Sequence, residues 1–161
     1  MGKGVIMVYD VDTDRIESQL LYLEQCLVVT QRSRQSLEQS DDPVLLFAAS
    51  RALHIGMECM IDVGSTLIDG FIMRDPGGYL DIVDILEDER VIPTEAVSRL
   101  KELVRVRDRL VRRYDQVTKE ELLQELSDTK VLASFIGWVR DYLARELESA
   151  SSSAPGSRNS E

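Results

Sequence analysis

Apolar positions recur at alternating spacings of three and four along most of this chain, the pattern of helices that bury one face. The first series runs Ile16, Leu20, Leu23, Leu27, Thr30, Arg34 and Leu37. It predicts a long helix with a coiled-coil-like seam, capped by Asp12 or Thr13 and failing in the polar run QRSRQSLEQSDD. Asp42-Pro43 restarts the chain with proline at a first helical position. Ala49, Leu53, Met57, Met60, Leu67 and Phe71 then mark a second helix to about Met73, with Gly64 where another helix can approach closely. Arg51, His54, Glu58 and Asp62 share the same three-and-four spacing, so they form a polar ridge along one side of it.

The stretch RDPGGY (Arg74–Tyr79) breaks the pattern, because proline and two glycines do not continue a helix. A short acidic helix is predicted over Tyr79–Arg90, and Pro93-Thr94 opens a fourth. That helix carries Leu100, Leu103, Val104, Leu110, Val111 and Tyr114 on one face. Thr118 and Glu121 form a capping box, with Val117 and Leu122 as its hydrophobic staple, and start a fifth helix from Lys119 to roughly Leu147. Leu122, Leu126, Ala133, Ile136, Leu143 and Leu147 are its expected inward positions. The expected fold is an all-α up-and-down bundle of four long helices and one short one. Residues 1–11 form an extended arm with room for one short strand, residues 12–147 the bundle, and residues 148–161 a small polar tail expected to be disordered.

Composition narrows the class. At 161 residues with 43% hydrophobic content, the chain is one domain long enough to bury a core. No apolar run approaches the length of a membrane span, and Val5–Tyr9 lacks the features of a signal peptide. Cys26 and Cys59 have no motif spacing and read as small core residues in a reducing cytoplasm. A net charge of −10 argues against broad, nonspecific duplex binding.

Against that acidity one stretch is basic. Between Arg99 and Arg113 lie seven cations (Arg99, Lys101, Arg105, Arg107, Arg109, Arg112, Arg113) and two acids, Glu102 and Asp108. Within it, RDRLVRRY (Arg107–Tyr114) places Arg107 in the middle of the apolar face. A buried arginine is normally paired, so Arg107 either snorkels to the edge of the stripe or lines a polar pocket at a packing seam. The cluster itself reads as an anion-binding surface or as a solvated face neutralised by acidic neighbours. There is no Gly-rich phosphate loop, no paired-cysteine zinc pattern and no H-E-x-x-H. A single histidine excludes a His-cluster metal site, and the acids of DILEDE point around their helix, so neither a metal nor a cofactor is expected.

The stretch RDRLVRRY resembles the R-x-x-x-x-H-x-Y motif of the HepT-like toxins, a branch of the HEPN superfamily of all-helical, dimeric, metal-independent ribonucleases. ECMIDVG (Glu58–Gly64) and DGFIMRDPGGY (Asp69–Tyr79) resemble one subgroup of that family, and the likeness spans roughly Val8 to Leu147. The resemblance implies an endoribonuclease, or a descendant of one, that acts as a homodimer on RNA and is controlled by a minimal nucleotidyltransferase. Arg107 stands at the motif arginine, implying a phosphate clamp, with Asp108 at the polar position after it. Tyr114 stands at the motif tyrosine, implying a hydroxyl that the partner modifies or that orients the substrate. Arg105, Arg109, Arg113 and Arg74 are expected to contact phosphate, and Arg74 with Asp75 either rims the pocket or simply makes the turn.

The sequence departs from the motif at its histidine, which is Arg112. Arginine holds its proton at any working pH, so Arg112 adds charge but not proton transfer. On a regular helix it also lies about 140° from Arg107. His54, with Glu58 one turn on, is the accessory candidate for a proton carrier; the plainer expectation is a histidine paired with Glu58 inside the bundle, with Glu58 and Asp62 as counter-charges for Arg107 or Arg51. The alternative function is therefore a catalytically silent HEPN dimer that binds RNA, nucleotide or a protein partner.

Overall fold

The computed structural model describes residues 9–152. Within them run six α-helices: α1 (Thr13–Leu37), α2 (Pro43–Gly70), α3 (Tyr79–Asp88), α4 (Val97–Arg112), α5 (Lys119–Leu126) and α6 (Lys130–Ser152), with no strand among the described residues. The starts follow the expected chemistry. Asp12 caps α1 by accepting from the Arg15 N–H at 3.0 Å, and Asp42 caps α2 by accepting from Val44 at 3.0 Å, with Pro43 at the first position. Thr118 caps α5 by accepting from the Glu121 N–H at 3.2 Å. Each cap satisfies an N–H that has no partner inside its own helix.

The antiparallel pair α1 and α2 is the most extensive pairing of the bundle, and α3, α4 and α6 pack around α2. Every apolar position expected on α2 (Ala49, Leu53, Met57, Met60, Leu67, Phe71) is buried, as are Ile16, Leu20, Leu23 and Leu37 of α1. By length and hydropathy α2 is apolar enough to cross a membrane, contrary to the expectation that no apolar run approaches a span; here it is the central helix of the bundle. Gly64 marks where α3 crosses it: a Cβ there would stand 2.7 Å from Ile82 Cγ2. Cys26 and Cys59 are buried and free; burial first, then the neighbouring thiol, pushes the Cys59 pKa up to about 12.

Three expectations need correction. The fifth helix is two helices, because Ser127 to Thr129 interrupt it: the Ser127 hydroxyl donates to the Gln124 carbonyl at 2.5 Å, competing with the helix ladder, and α6 restarts at Lys130. Of the expected inward positions beyond the break, Ala133 is exposed, Ile136 is buried, and Leu143 and Leu147 pack half-buried on the core; Leu132, Phe135, Val139 and Tyr142 are buried as well. The helix then runs through Ser152 rather than ending at Leu147, taking 148–152 out of the expected tail. Finally, Val111 and Tyr114 leave the apolar face of α4: it ends at Arg112, Tyr114–Gln116 form a 3-10 turn, and both side chains are exposed. The remainder of the tail and most of the arm lie outside the described residues. Of the arm, Tyr9 packs on Phe71 with ring centroids 5.0 Å apart, and Phe71 meets Tyr142 edge-on at 5.2 Å.

Candidate active site at the seam between α2 and α4

The polar ridge of α2 faces Arg107 of α4. Arg107 lies in the seam with its side chain 13% exposed, and its Nε donates to Glu58 Oε1 at 2.5 Å. Its Nη1 donates to Asp108 at 2.9 Å. The Tyr79 ring covers one face of the guanidinium, with Cζ 5.0 Å from the ring centroid. Arginine in the middle of the α4 stripe is thus accommodated by a carboxylate contributed from α2, without which burial of the charge would be costly. Nη2 has no acceptor among the described residues, so one edge of the guanidinium remains available.

Behind Glu58 stands the rest of the ridge. His54 Nε2 is 3.3 Å from the same Oε1, and His54 Nδ1 is 3.2 Å from Arg51 Nη1. A guanidinium only donates, so Nδ1 is the accepting nitrogen toward Arg51, and the Nε2 edge of the ring is turned toward Glu58. Burial lowers the His54 pKa below its ordinary 6.5; Glu58 opposes that shift, and Arg51 and Arg107 add to it. Asp62, the last member of the ridge, is shifted upward by burial and by Glu58.

The other expected residues divide by environment. Arg74 is bidentate to Asp81 at 2.8 Å on both arms, and the Gly77 N–H donates to Asp81 at 2.8 Å. The pair of donors holds the Asp81 carboxyl at about 2, and Arg74 is a latch between the loop and α3 rather than an open cation. Asp75 makes no hydrogen bond or ion pair among the described residues. Arg109 is engaged by Glu121. Arg105, Arg112 and Arg113 are exposed and have no ion pair among the described residues. Arg112 does not join Arg107, as the helical angle required. Tyr114 is 74% exposed, directly after these free arginines. Sequence reasoning passed over Tyr79; its one signal was an aromatic placed straight after two glycines and at a helix start.

A family model described as Ribonuclease HepT-like matches residues 19–137 of this chain. The chain belongs to the HepT-like ribonuclease family. It is similar to YutE of Bacillus subtilis (strain 168), 38% identical over 141 residues that span 87% of this chain and 95% of YutE. The solved structure of YutE, described as a cytosolic protein of unknown function, superposes with a TM-score of 0.77 at 35% identity, covering 87% of this chain and 96% of that one. The HepT-like fold extends to more distant structures. A tri-AMPylated Shewanella oneidensis HEPN toxin, in complex with an MNT antitoxin, matches with a TM-score of 0.73 at 18% identity over 80% of this chain and 98% of that one. A toxin–antitoxin MntA–HpeT complex matches at 0.72 and 16%, over 79% of this chain and 98% of that one.

Proposed function

We propose that this HepT-like protein is a metal-independent endoribonuclease, or a direct descendant of one, with Arg107 as its phosphate clamp. The observation that carries the reading is the guanidinium itself: anchored through Nε and Nη1, capped by Tyr79, and open at Nη2. A pre-oriented arginine is suited to charge that develops on a phosphorane, because it need not reorganise as the reaction proceeds. In the proposed reaction the RNA 2′-oxygen bonds to the adjacent phosphorus and the P–O5′ bond breaks. A proton leaves the 2′-hydroxyl and one arrives at O5′, giving a cyclic phosphate and a free 5′-hydroxyl. His54 is the only imidazole in the chain, neutral and one carboxylate away from Arg107. Release from Arg51 would free its Nδ1 to take a proton. Asp108 orients the clamp, and Arg105, Arg112 and Arg113 supply the flanking positive field.

Tyr114 fits as the acceptor for a nucleotidyltransferase partner. Its hydroxyl would bond to the α-phosphorus of ATP with loss of pyrophosphate, placing a negative phosphodiester beside Arg112 and Arg113. A homodimer fits the exposed apolar residues that flank the ridge: Phe47, one turn before Arg51 on α2 and 75% exposed, and Val111, one turn after Arg107. The cytosolic description of YutE supports the same location for this chain.

One observation favours the silent reading: Arg112 points to solvent, away from Arg107, so the motif position contributes no proton carrier. The test is cleavage of mixed cellular RNA in chelator by wild type, Arg107→Ala and Arg112→His. Cleavage by wild type that is lost in Arg107→Ala supports a working nuclease. A silent wild type with an active Arg112→His supports a binding module descended from one. Silence in all three contradicts the nuclease reading.

A further inference from the structure

Tyr79 is a half-exposed aromatic beside Arg107, and three bonds hold the loop that precedes it. It is the first residue of α3, and the loop before it is tied to the first turn of that helix through Asp81, which receives both arms of Arg74 and the N–H of Gly77, each at 2.8 Å. The ring therefore does not rest on flexible chain, although it follows Gly77 and Gly78. One of its faces lies over the Arg107 guanidinium at 5.0 Å, and the residue as a whole is 45% exposed. A cation held against one ring face is favourable by itself. Yet an aromatic kept half in water beside an open guanidinium edge is also the arrangement by which proteins hold a base next to its phosphate.

We propose that Tyr79 is a nucleobase platform, its outer face stacking an unpaired base while Nη2 of Arg107 grips the neighbouring phosphate. This rests on the reading of Arg107 as a phosphate clamp and adds to it a substrate class: single-stranded rather than duplex RNA. Bases in a duplex are already stacked on one another and offer no free face, whereas an unpaired base stacks on an aromatic with little regard to its identity. The acidic helix beside the platform is largely neutralised: Asp81 and Asp88 pair with Arg74 at 2.8 and 3.7 Å, and Asp84 with Lys101 at 2.7 Å.

The test is fluorescence anisotropy of the full chain with a fluorescein-labelled oligoadenylate RNA, single-stranded and annealed to its complement. Wild type is compared with Tyr79→Phe, Tyr79→Leu and Arg107→Ala, each confirmed folded by circular dichroism. The platform predicts that wild type prefers the single strand. Tyr79→Leu weakens single-strand binding on the order of tenfold while barely changing duplex binding, and Tyr79→Phe retains the preference. If Tyr79→Leu leaves single-strand binding unchanged, or weakens both forms alike, while Arg107→Ala still abolishes it, the platform is overturned and the clamp stands. If wild type binds RNA no better than Arg107→Ala does, both fall.

Discussion

Glu58 of α2 and Arg107 of α4 meet at 2.5 Å, and the contact joins the two helices that carry the polar ridge and the basic motif. It also explains why an arginine can stand within an apolar stripe. The charge is admitted to the seam because a carboxylate from the facing helix accompanies it.

Removing that carboxylate leaves Arg107 partly buried without its main partner. Both side chains keep some exposure, so the loss is smaller than for a fully buried pair. Glu58→Ala is expected to lower stability by about 1–2 kcal/mol, and Glu58→Gln by less, since the amide oxygen still accepts. Combined with Arg107→Met, the Glu58 substitution should cost markedly less than it does alone. Denaturant melts of the four proteins in this cycle measure the coupling.

His54 gives the fold a dependence on pH near neutrality. Its folded pKa lies below the ordinary 6.5 because burial disfavours the charged ring. As pH falls below that value, the unfolded chain takes up a proton that the folded chain resists, so stability is full above the ordinary value and declines as pH falls through the folded one. His54→Gln can still accept from Arg51 and donate to Glu58 without titrating. Thermal melts from pH 7.5 to 5 should therefore fall more steeply for wild type than for His54→Gln.

Two glycines in helices should respond oppositely to the same change. Gly64→Ala recovers roughly 1 kcal/mol of helix propensity but drives a methyl to 2.7 Å from Ile82 Cγ2, and such overpacking costs about 1–3 kcal/mol. A net loss is expected, relieved in part by Ile82→Ala. Gly137 of α6 has nothing within 4 Å of where a Cβ would stand, so Gly137→Ala should stabilise by about 0.5–1 kcal/mol. Chemical denaturation of both single variants reads the two signs.

Ile72, just past the end of α2, is a β-branched residue at φ 54. It occupies the left-handed turn that closes the helix, where the Met73 N–H reaches back to the Ile68 carbonyl at 2.9 Å. Its side chain is largely exposed, so little packing is lost on removing it. Ile72→Gly is expected to raise stability by about 1 kcal/mol, roughly 2–4 °C in Tm for a chain of this size. An unchanged or lowered Tm would mean the side chain contributes more than its exposure implies.

Periodicity made most of this fold legible. The α2 stripe, the ridge opposite it and the caps at Asp12, Asp42 and Thr118 all follow from local spacing and local hydrogen bonding. The break at Ser127–Thr129 did not, because no proline or glycine marks it, and Ala133, the first expected inward position beyond it, is exposed. In the site, Arg107 was conspicuous as a charge inside an apolar series, and the spacing of the α2 ridge offered Glu58 as a possible partner. The separate fates of the other cations were hidden. Arg74 is captured by Asp81 and Arg109 by Glu121, while Arg105, Arg112 and Arg113 are left free; which acid reaches which base is decided by helix packing, not by sequence distance. Tyr79 was invisible for the same reason, since it acquires meaning only when α3 is laid across Arg107.

The central claim is that Arg107 clamps phosphate for cleavage by the RNA's own 2′-oxygen. The most direct measurement is end-group analysis of a defined single-stranded RNA incubated in chelator with wild type or Arg107→Ala. Wild type should yield 2′,3′-cyclic phosphate and 5′-hydroxyl ends, and both should appear roughly a hundredfold or more slower from Arg107→Ala. Equal rates from the two proteins, or products that carry a 5′-phosphate, would contradict that claim.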